Sequence, residues 1–334
     1  MQTWRYTLRP QSAFATPLMG DTLFGQICWT IRHCYGESRL KELLFSYTAG
    51  TPFCVVSDGF PFGYLPRPHL PLFSMSPSEQ VSAGTRKQSK RKQWMPILEY
   101  HQPVTEWLGF CKRSDELRKA DNNESVWQKH EGRMQNSINR ITGTTGESGF
   151  APYAVEQHWY HPNALLHVYV QIDTACFSIS ELETTMARIG CAGYGKDAST
   201  GRGQFGIQEQ VQIELPQQDG STGWMVLAPC APQQLGFNPE KSYWQPFTRF
   251  GRHGSLAAIG GQPFKNPVLL AGAGSVFTPA EYSQEKFIGQ GLGGNGELSK
   301  TIWGTVHQGY APVVGLNLHA ANKRIAESCL SETV

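Results

Sequence analysis

Residues 193–205 read Gly193-Tyr-Gly-Lys-Asp-Ala-Ser-Thr-Gly-Arg-Gly-Gln-Phe205, and this short stretch holds four glycines, a serine, a threonine and two cations. Glycine permits a positive φ and lets a ligand approach the main chain closely. Successive main-chain N–H groups in such a turn form a concave site for an anion. The stretch therefore predicts a phosphate-binding loop, which we call the glycine-rich loop.

The residues on either side place this loop between a helix and a strand. The spacing of Leu182, Met186 and Ile189 predicts one apolar stripe of a helix, and Ser180-Glu-Leu-Glu183 predicts a capping box at its start. Alternating apolar residues from Ile207 to Leu215 predict the strand that follows. Because Walker A and dinucleotide-binding loops run from a strand into a helix, the order found here excludes both. A long connection with a glycine cap is the structural alternative, but four glycines exceed what one cap needs and favour a ligand.

Two units of strand, helix and strand make up residues 1–215, outside a long insertion. The first has an alternating strand from Trp4 to Arg9, a helix from Asp21 to Ile31 with Asp21 as its N-cap, and a short strand from Phe53 to Val56. The second begins with Leu166-His-Val-Tyr-Val-Gln-Ile-Asp173, an alternation typical of a half-buried strand. Two such units in succession predict the ferredoxin-like arrangement, so the predicted fold class is α+β.

The insertion, about residues 60 to 150, is too long for a simple connection, and loops of this length are usually functional. It contains five cations in the seven positions from Arg86 to Lys92, and after Gln93 come a tryptophan, a methionine and a proline. Cations beside apolar side chains suit a segment that wedges between nucleotides while it holds phosphates. A solvated charged loop is the alternative. Farther along, the polar stretch 112–133 predicts a helix.

A polar, turn-rich segment at 216–223 predicts the boundary between two domains, residues 1–215 and 224–334. Short strand candidates alternate with glycine-rich turns in the second domain, notably at 289–296. We therefore expect the second domain to be rich in β-strand and to be ferredoxin-like as well.

Composition limits the possible functions. The chain of 334 residues is 40% hydrophobic and carries a formal net charge of only +2, so any nucleic-acid contact must come from local basic patches. Its eight cysteines form no Cys-x-x-Cys pair, no apolar run reaches the ~20 residues of a membrane span, and the N-terminus does not resemble a signal peptide. We expect a cytoplasmic protein with reduced thiols and no membrane contact. We expect no metal and no other cofactor, since His158, His161 and His167 lack the spacing of a metal site.

Five blocks of sequence carry a resemblance to a known family. They are Phe14–Gly25, Phe60–Pro68, Asn136–Gly143, the glycine-rich loop and Val306–Ala311. Together and in this order, they resemble the motifs of a Csm-series RAMP subunit of type III CRISPR effector complexes. One departure concerns the loop, where the family often has two adjacent glycines and then a cation, and this chain has Gly195-Lys196-Asp197. Because a carboxylate beside a phosphate is unfavourable, the Asp197 side chain is expected to point away.

The resemblance implies two ferredoxin-like (RRM-like) RAMP domains, with a thumb-like insertion in the first. It implies a non-catalytic subunit that holds the 5′ tag of the crRNA and caps the foot of the effector complex. The implied partners are the crRNA, the large signalling and DNase subunit, the backbone RAMP subunit and, indirectly, the target RNA.

The candidate RNA-binding residues share the groups that recognise a splayed single strand, namely main-chain N–H donors, cations, hydroxyls and rings. They are Gly193, Gly195, Lys196, Ser199, Thr200, Gly201, Arg202 and Gly203 in the glycine-rich loop; Lys87, Lys90, Arg91 and Lys92 in the basic run; Arg133, Asn136 and Arg140 in and before the third block; and Phe14 and Thr16 in the first block. The structural alternatives are a polar helix surface for residues 133–140, and the shaping of the turn before the first helix for residues 14–17.

His33 is the one residue that suggests an enzyme. Some relatives that process crRNA place a histidine near the end of the first helix, as a general acid or base in metal-independent RNA cleavage, and such chemistry needs only one oriented partner. A lone histidine at a helix C-terminus is more often a structural cation, so we favour a protein that is not an enzyme. Binding of a mononucleotide phosphate by the glycine-rich loop is a third and weaker hypothesis.

Overall fold

The chain is built on two antiparallel sheets, one in each half, in a computed structural model that describes residues 1–76, 83–117, 127–146, 149–258 and 262–331. The first half contains the strands β1 (Gln2–Pro10), β2 (Cys54–Val56), β3 (Phe60–Pro61), β4 (Tyr64–Pro66), β5 (Trp94–Pro96), β6 (Gln128–Gln135), β7 (Tyr153–Tyr160), β8 (Leu166–Ile172) and β9 (Phe205–Ile213). The second half contains β10 (Gly223–Val226), β11 (Pro246–Arg249), β12 (Val268–Ala271), β13 (Val276–Phe277), β14 (Phe287–Gly293) and β15 (Val306–Leu316). The α-helices are α1 (Gly20–Tyr35), α2 (Glu37–Leu44), α3 (Ala83–Lys90), α4 (Trp107–Phe110), α5 (Ile179–Ala192) and α6 (His319–Ser331).

The first sheet has the strand order β2-β8-β1-β9, and β3 also pairs with β8. The chain runs through it as β1-α1-β2-β8-α5-β9, which is the βαββαβ order of the ferredoxin-like motif. The apolar stripe Leu182, Met186 and Ile189 of α5 packs in its core, as the spacing predicts. All seven residues of β8 are buried, instead of every second one, because Tyr169 on its other face packs into a core shared with the second half.

The second sheet has the order β13-β10-β15-β14. In the described part of this half, the only α-helix is α6, which follows the last strand. The predicted class α+β is confirmed, but the βαββαβ order of the first sheet is not repeated in the second.

A buried glutamine joins the two sheets. Gln308 on β15 accepts a hydrogen bond from the main-chain N–H of Val56 at 2.9 Å and donates one to the Val56 carbonyl at 2.7 Å. The Gln308 side-chain amide thus forms the pair of hydrogen bonds with the main chain of β2 that a neighbouring strand would form. Two residues farther on, the Tyr310 hydroxyl donates to the carbonyl of Tyr47 at 2.8 Å. Residues 214–222 contain neither helix nor strand, as expected of a connection, but the halves share a core, and their division into two domains stays a prediction.

The insertion has two parts with different surroundings. The described residues 64–76 and 83–117 pack on the second half, where the Tyr100 hydroxyl donates to the Gly315 carbonyl at 2.8 Å and Trp107 is fully buried. The strands β6 and β7 form a separate two-stranded hairpin, in register from the pair Gln128 and Tyr160 to the pair Gln135 and Tyr153. We call β6, β7 and the residues between them the thumb hairpin.

The helix predicted over 112–133 is wrong. Residues 114–116 form a 3-10 turn, residues 128–135 are strand β6, and 118–126 lie outside the described residues. Eight cross-strand pairs with β7 stabilise β6, and such pairs override a weak helical preference.

Two helix caps also differ from the sequence prediction. The capping box of α5 is Ser178 with Glu181, two residues before the predicted one. Asp21 is not the N-cap of α1, because Met19 holds that position and the Asp21 side chain is completely buried. None of the helices in the described part of the chain combines the length and apolar character needed to cross a membrane.

Candidate nucleic-acid interface

The glycine-rich loop begins where α5 ends at Ala192 and returns to the sheet at Phe205. Its two arms touch through main-chain atoms at their base. A Cβ on Gly193 would lie 2.2 Å from the Arg202 carbonyl oxygen, and a Cβ on Gly203 would lie 2.1 Å from that of Tyr194. Only glycine fits this close approach, and both positions also have a positive φ.

Hydrogen bonds close the base of the loop and leave its tip open. Tyr194 N–H donates to the Gly203 carbonyl, and Gly203 N–H donates to the Ala13 carbonyl, both at 2.9 Å. At the tip, Lys196 N–H donates to Thr16 Oγ1 at 3.1 Å. Within the described residues, four main-chain N–H groups have no protein acceptor, namely those of Gly195, Asp197, Ala198 and Ser199.

The side chains at the tip surround these open N–H groups. Lys196, Ser199 and Thr200 are exposed, and the Thr200 hydroxyl donates to the Asp197 carbonyl at 2.8 Å within the turn. The half-buried Arg202 has a buried Nε with no hydrogen-bond acceptor among the described residues. The tip thus offers two cations, a hydroxyl and main-chain donors to an anion.

Tyr194 anchors the loop to the segment before α1. Its hydroxyl accepts a hydrogen bond from Met19 N–H at 2.9 Å and donates to the Pro17 carbonyl at 2.9 Å. Phe14 is completely buried between Tyr194 and Tyr160, with ring centroids 5.9 and 5.4 Å away. The Phe14 ring is part of the core and is not free to stack on a base, which agrees with the alternative that residues 14–17 shape the turn before the first helix.

The same segment holds the base of the thumb hairpin. Phe14 N–H donates to the His158 carbonyl at 3.0 Å, and His158 N–H donates to the Phe14 carbonyl at 2.8 Å. Residues 13–16 therefore bind the glycine-rich loop on one side and β7 on the other. Fold topology brings together these two elements, which lie far from residues 13–16 in sequence.

The thumb hairpin exposes apolar and basic side chains together. Arg133 lies on β6 and Arg140 in the connection to β7, and both are exposed. Asn136 follows β6 directly and is exposed as well. Ile138 and Ile141 lie between β6 and β7, and Ile141 is 96% exposed. The polar helix surface that was the structural alternative for residues 133–140 is instead a strand and the connection that follows it.

The basic run is only partly free for a ligand. Lys87, Lys90 and Arg91 are exposed at the end of α3, but Lys92 Nζ donates to the Leu108 carbonyl at 2.6 Å. The apolar residues behind the run do not form a wedge. Met95 is completely buried, and Trp94 Nε1 donates to Ser114 Oγ at 2.9 Å, because both lie on β5 in its pairing with β4.

His33 has no hydrogen-bonding or ionic partner among the described residues that would orient it for acid–base catalysis. It is exposed near the end of α1, and its ring stacks on Trp29 at a centroid distance of 6.0 Å. No side chain among the described residues forms a hydrogen bond or ion pair with it. The guanidinium of Arg32 lies over the Trp29 ring, with its carbon 5.2 Å from the ring centroid.

A buried charge cluster next to the loop escaped the sequence reasoning. Arg249 at the end of β11 donates to both carboxylate oxygens of Asp21 at 2.7 and 2.8 Å, and His307 Nε2 lies 3.4 Å from the same carboxylate. Burial alone would raise the pKa of Asp21, but contacts with His307 and Arg249 lower it to about 2. No local pattern signals this cluster, since Asp21 and Arg249 are 228 residues apart.

A second carboxyl, that of Asp58, lies close by and has the opposite electrostatics. Its Oδ1 accepts a hydrogen bond from Gly20 N–H at 2.7 Å. Burial raises the pKa of Asp58 to about 8, and the nearby charge of Asp21 adds to this effect. Near neutral pH the Asp58 carboxyl is therefore largely protonated, and the Arg249 guanidinium neutralises the charge of Asp21.

Replacing Asp58 with asparagine is expected to flatten the pH dependence of stability. A carboxyl whose folded-state pKa lies above its ordinary value of 3.8 stabilises the fold at low pH and loses that contribution as the pH rises to about 8. Asp58→Asn keeps the acceptor for Gly20 N–H and removes the titration. In urea unfolding at pH 5, 7 and 8.5, the free energy of unfolding of the variant should rise relative to that of the wild type as the pH rises. Asp219→Asn, at an exposed site, is the control, and parallel curves for Asp58→Asn and wild type would contradict the assignment.

No family model matches this chain, and no curated protein matches it. Solved structures do match it over nearly its whole length. A chain of the Csm3–Csm4 subcomplex in the type III-A CRISPR-Cas interference complex is 14% identical, with 95% of this chain and 100% of that chain covered and a TM-score of 0.57. A chain of the Csm1–Csm4 cassette in complex with pppApA is 15% identical, with 95% and 98% covered and a TM-score of 0.56. The same cassette in complex with cA4 matches at 14% identity, with 94% and 98% covered and a TM-score of 0.56.

Csm4 is the subunit that these assemblies have in common. The resemblance to a Csm-series RAMP subunit, drawn from five blocks of sequence, is thereby confirmed at the level of the fold. The chain has the fold of Csm4 subunits of CRISPR-Cas assemblies.

Proposed function

We propose that this protein is a non-catalytic RAMP subunit that holds the 5′ tag of a crRNA and caps the foot of a type III CRISPR effector complex. One observation carries the proposal: in a Csm4-like fold, the glycine-rich loop presents four main-chain N–H groups that have no acceptor in the described part of the chain, beside exposed Lys196. A packed loop with every amide paired to protein would have had no such role.

The loop has what is needed to hold the backbone of a single strand. Phosphate oxygens accept from the open N–H groups of Asp197, Ala198 and Ser199, which lie next to one another in a turn. Lys196 and Arg202 neutralise the phosphate charge. The Ser199 hydroxyl is exposed and is suited to a phosphate or a ribose 2′-hydroxyl.

The thumb hairpin provides a second contact with the guide. Exposed Ile138 and Ile141 alternate with the polar and basic residues around Arg140, and an apolar tip with cations beside it suits insertion between bases while phosphates are held. Lys87, Lys90 and Arg91 add cations elsewhere on the insertion. Lys92 is excluded from this set, because its ammonium group is bonded to the Leu108 carbonyl.

The partners follow from the assemblies in which the matching folds were solved. Those chains come from complexes of Csm4 with Csm1 and of Csm4 with Csm3. By analogy, this chain assembles with the large signalling and DNase subunit and with the backbone RAMP subunit, and it meets the target RNA only through them. The endoribonuclease and mononucleotide hypotheses have less support, since none of the described residues orients His33 by a hydrogen bond, and Lys196, Ser199 and Thr200 at the tip of the loop are exposed.

Co-purification of RNA tests the proposal. The tagged full-length protein is isolated from cells that contain the other effector subunits and a CRISPR array, and the bound RNA is sequenced. We expect crRNAs that share one constant 5′ sequence, with the same ends when His33 is replaced by alanine. RNA without a common 5′ end would refute tag binding, and unprocessed precursor in the His33→Ala variant would favour the endoribonuclease instead.

A further inference from the structure

A second surface with the chemistry of a single-strand site lies on the second half of the chain. Residues 250–254 pair with 262–266, with His253 N–H donating to the Pro263 carbonyl and Lys265 N–H to the Gly251 carbonyl, each at 2.8 Å. Beside this pair lies the turn that carries Trp303, tied on by Thr301 Oγ1, which donates to the Gln262 carbonyl at 2.8 Å. We call the exposed rings Phe250, Phe264 and Trp303, with Arg252 and Lys300, the aromatic platform.

The rings of the platform are exposed although their main chain is held firmly. Phe250, Phe264 and Trp303 are 72%, 67% and 74% exposed. Below them, the buried His253 forms a 2.7 Å hydrogen bond with Ser299 Oγ, which also accepts from Thr301 N–H and Ile302 N–H.

Trp303 lies against the main chain although most of its ring is exposed. A Cβ on Gly296 would lie 2.5 Å from Trp303 ring carbons, so the indole lies directly against the main chain of Gly296. The side chain is nevertheless 74% exposed. A ring that is held against the main chain and is largely exposed can accept a stacked base with little loss of conformational entropy.

Cations lie among these rings. The guanidinium carbon of Arg252 is 5.7 Å from the Phe264 ring centroid, and the two residues face each other across the paired segments. Lys300 is exposed three residues before Trp303. In the described parts of segments 246–267 and 295–304, Glu297 is the only carboxylate side chain, against two arginines and two lysines. Arg249 is paired with the buried Asp21, so the exposed charges on this surface are Arg252, Lys300 and Glu297, with Lys265 half-buried. The surface therefore carries a small excess of positive charge beside its rings.

The surface is also connected to the glycine-rich loop. Arg249, the residue before Phe250, bonds to Asp21 and to the sulfur of Met19 at 3.0 Å. Met19 N–H in turn donates to the hydroxyl of Tyr194 in the loop. Direct contacts of Arg249 with Met19, and of Met19 with Tyr194, therefore connect the platform to the glycine-rich loop.

We propose that the aromatic platform is a separate binding site for single-stranded RNA, which stacks bases on Phe250, Phe264 and Trp303 while Arg252 and Lys300 hold the phosphates. Interleaved rings and cations are typical of sequence-independent single-strand sites. The core of a protein interface is instead depleted in charged residues, whereas here Arg252 lies over the Phe264 ring and Lys300 is exposed three residues before Trp303. The site goes beyond tag binding and does not require the glycine-rich loop to bind RNA.

Fluorescence anisotropy with a 5′-fluorescein-labelled U15 RNA and the purified full chain tests this site. Stacking on an aromatic side chain is worth ~1–3 kcal/mol per base, so each single alanine substitution should weaken binding about fivefold or more. Phe45→Ala is the matched control, since this ring is 90% exposed outside the platform and its removal should change the affinity less than twofold. The double substitution of Arg252→Gln and Lys300→Gln should make the slope of log K against log salt less negative by about 1.4.

Two further measurements separate the possible outcomes. The platform substitutions are repeated in a Lys196→Ala background, where the same fold-loss is expected whether or not the glycine-rich loop binds RNA. Capture of the large and backbone effector subunits is measured for the triple variant Phe250→Ala, Phe264→Ala and Trp303→Ala, whose fold is checked by circular dichroism. A folded triple variant that binds U15 within twofold of wild type would overturn the proposal. Loss of subunit capture with unchanged RNA affinity would assign the surface to a protein partner instead.

Discussion

Replacing Arg249 with alanine should lower the free energy of unfolding by about 3–5 kcal/mol, because it removes the guanidinium from a buried carboxylate and leaves only the longer contacts with Thr22 and His307. Asp21 is fully buried and Arg249 is only 18% exposed, and two hydrogen bonds of 2.7 and 2.8 Å join them. Arg249 comes from the second half and Asp21 from the start of α1, so the loss would also loosen the contact between the halves. Urea unfolding followed by tryptophan fluorescence at pH 7 measures the effect.

The pH dependence of this variant gives an independent check. The pKa of Asp21 is lowered to about 2 in the folded protein, so the pair stabilises the fold above the ordinary pKa of about 3.8 and loses this contribution as the pH falls through about 2. Without Arg249, the pKa of Asp21 should rise, and acid should add less further destabilisation between pH 4 and pH 2 than it does in the wild type.

Arg5→Ala is the matched control for Arg249→Ala. Arg5 also forms a 2.8 Å ion pair, with Glu209, but the two side chains are 28% and 50% exposed. Such surface pairs contribute about 0–1 kcal/mol. Equal losses for Arg5→Ala and Arg249→Ala would show that the buried cluster does not stabilise the fold as we infer.

Replacing Gly203 with valine should weaken binding of a tag-containing crRNA about 100-fold or more, since a hydrogen bond to a charged group contributes ~1.5–3 kcal/mol and at least two are lost. The new Cβ would lie 2.1 Å from the Tyr194 carbonyl oxygen and 2.6 Å from its nitrogen. These atoms form the base of the glycine-rich loop, so the arms must separate and the open N–H groups of residues 197–199 lose their arrangement.

Three comparisons distinguish this effect from misfolding. Gly50→Val introduces a β-branched side chain at a φ of +98° with open space around it, so it carries backbone strain but leaves the loop intact. Gly201→Val acts inside the loop, at a φ of +83° and also without a clash, and we expect an intermediate loss. Lys196→Ala with Arg202→Gln leaves the loop main chain unchanged and should lower the salt slope of binding by about 1.4. Gel-shift titration measures all four variants, and tight RNA binding by a folded Gly203→Val protein would refute the role of the loop.

Sequence reasoning succeeded where the signal was local and failed where distant elements meet. The alternation in β1 and the spacing of Leu182, Met186 and Ile189 predict a strand and a buried helix stripe, since each depends on a repeat of a few residues. The same reasoning put β6 in a helix, because the cross-strand pairs with β7 are invisible to a local pattern. It also included Phe14 among the candidate RNA-binding residues, although this ring is buried between Tyr160 and Tyr194.

The amino-acid sequence by itself determined the α+β class, the position of the glycine-rich loop between a helix and a strand, and the resemblance to a Csm-series subunit. These features follow from backbone sterics and side-chain periodicity within a short window. Only the tertiary structure decided which amides of the loop stay open, that Lys196 meets Thr16 across 180 residues, and that Asp21 meets Arg249 across 228. The physical reason is that burial and pairing depend on the order of strands in the sheets, which brings distant segments together and settles which polar groups are left for a ligand.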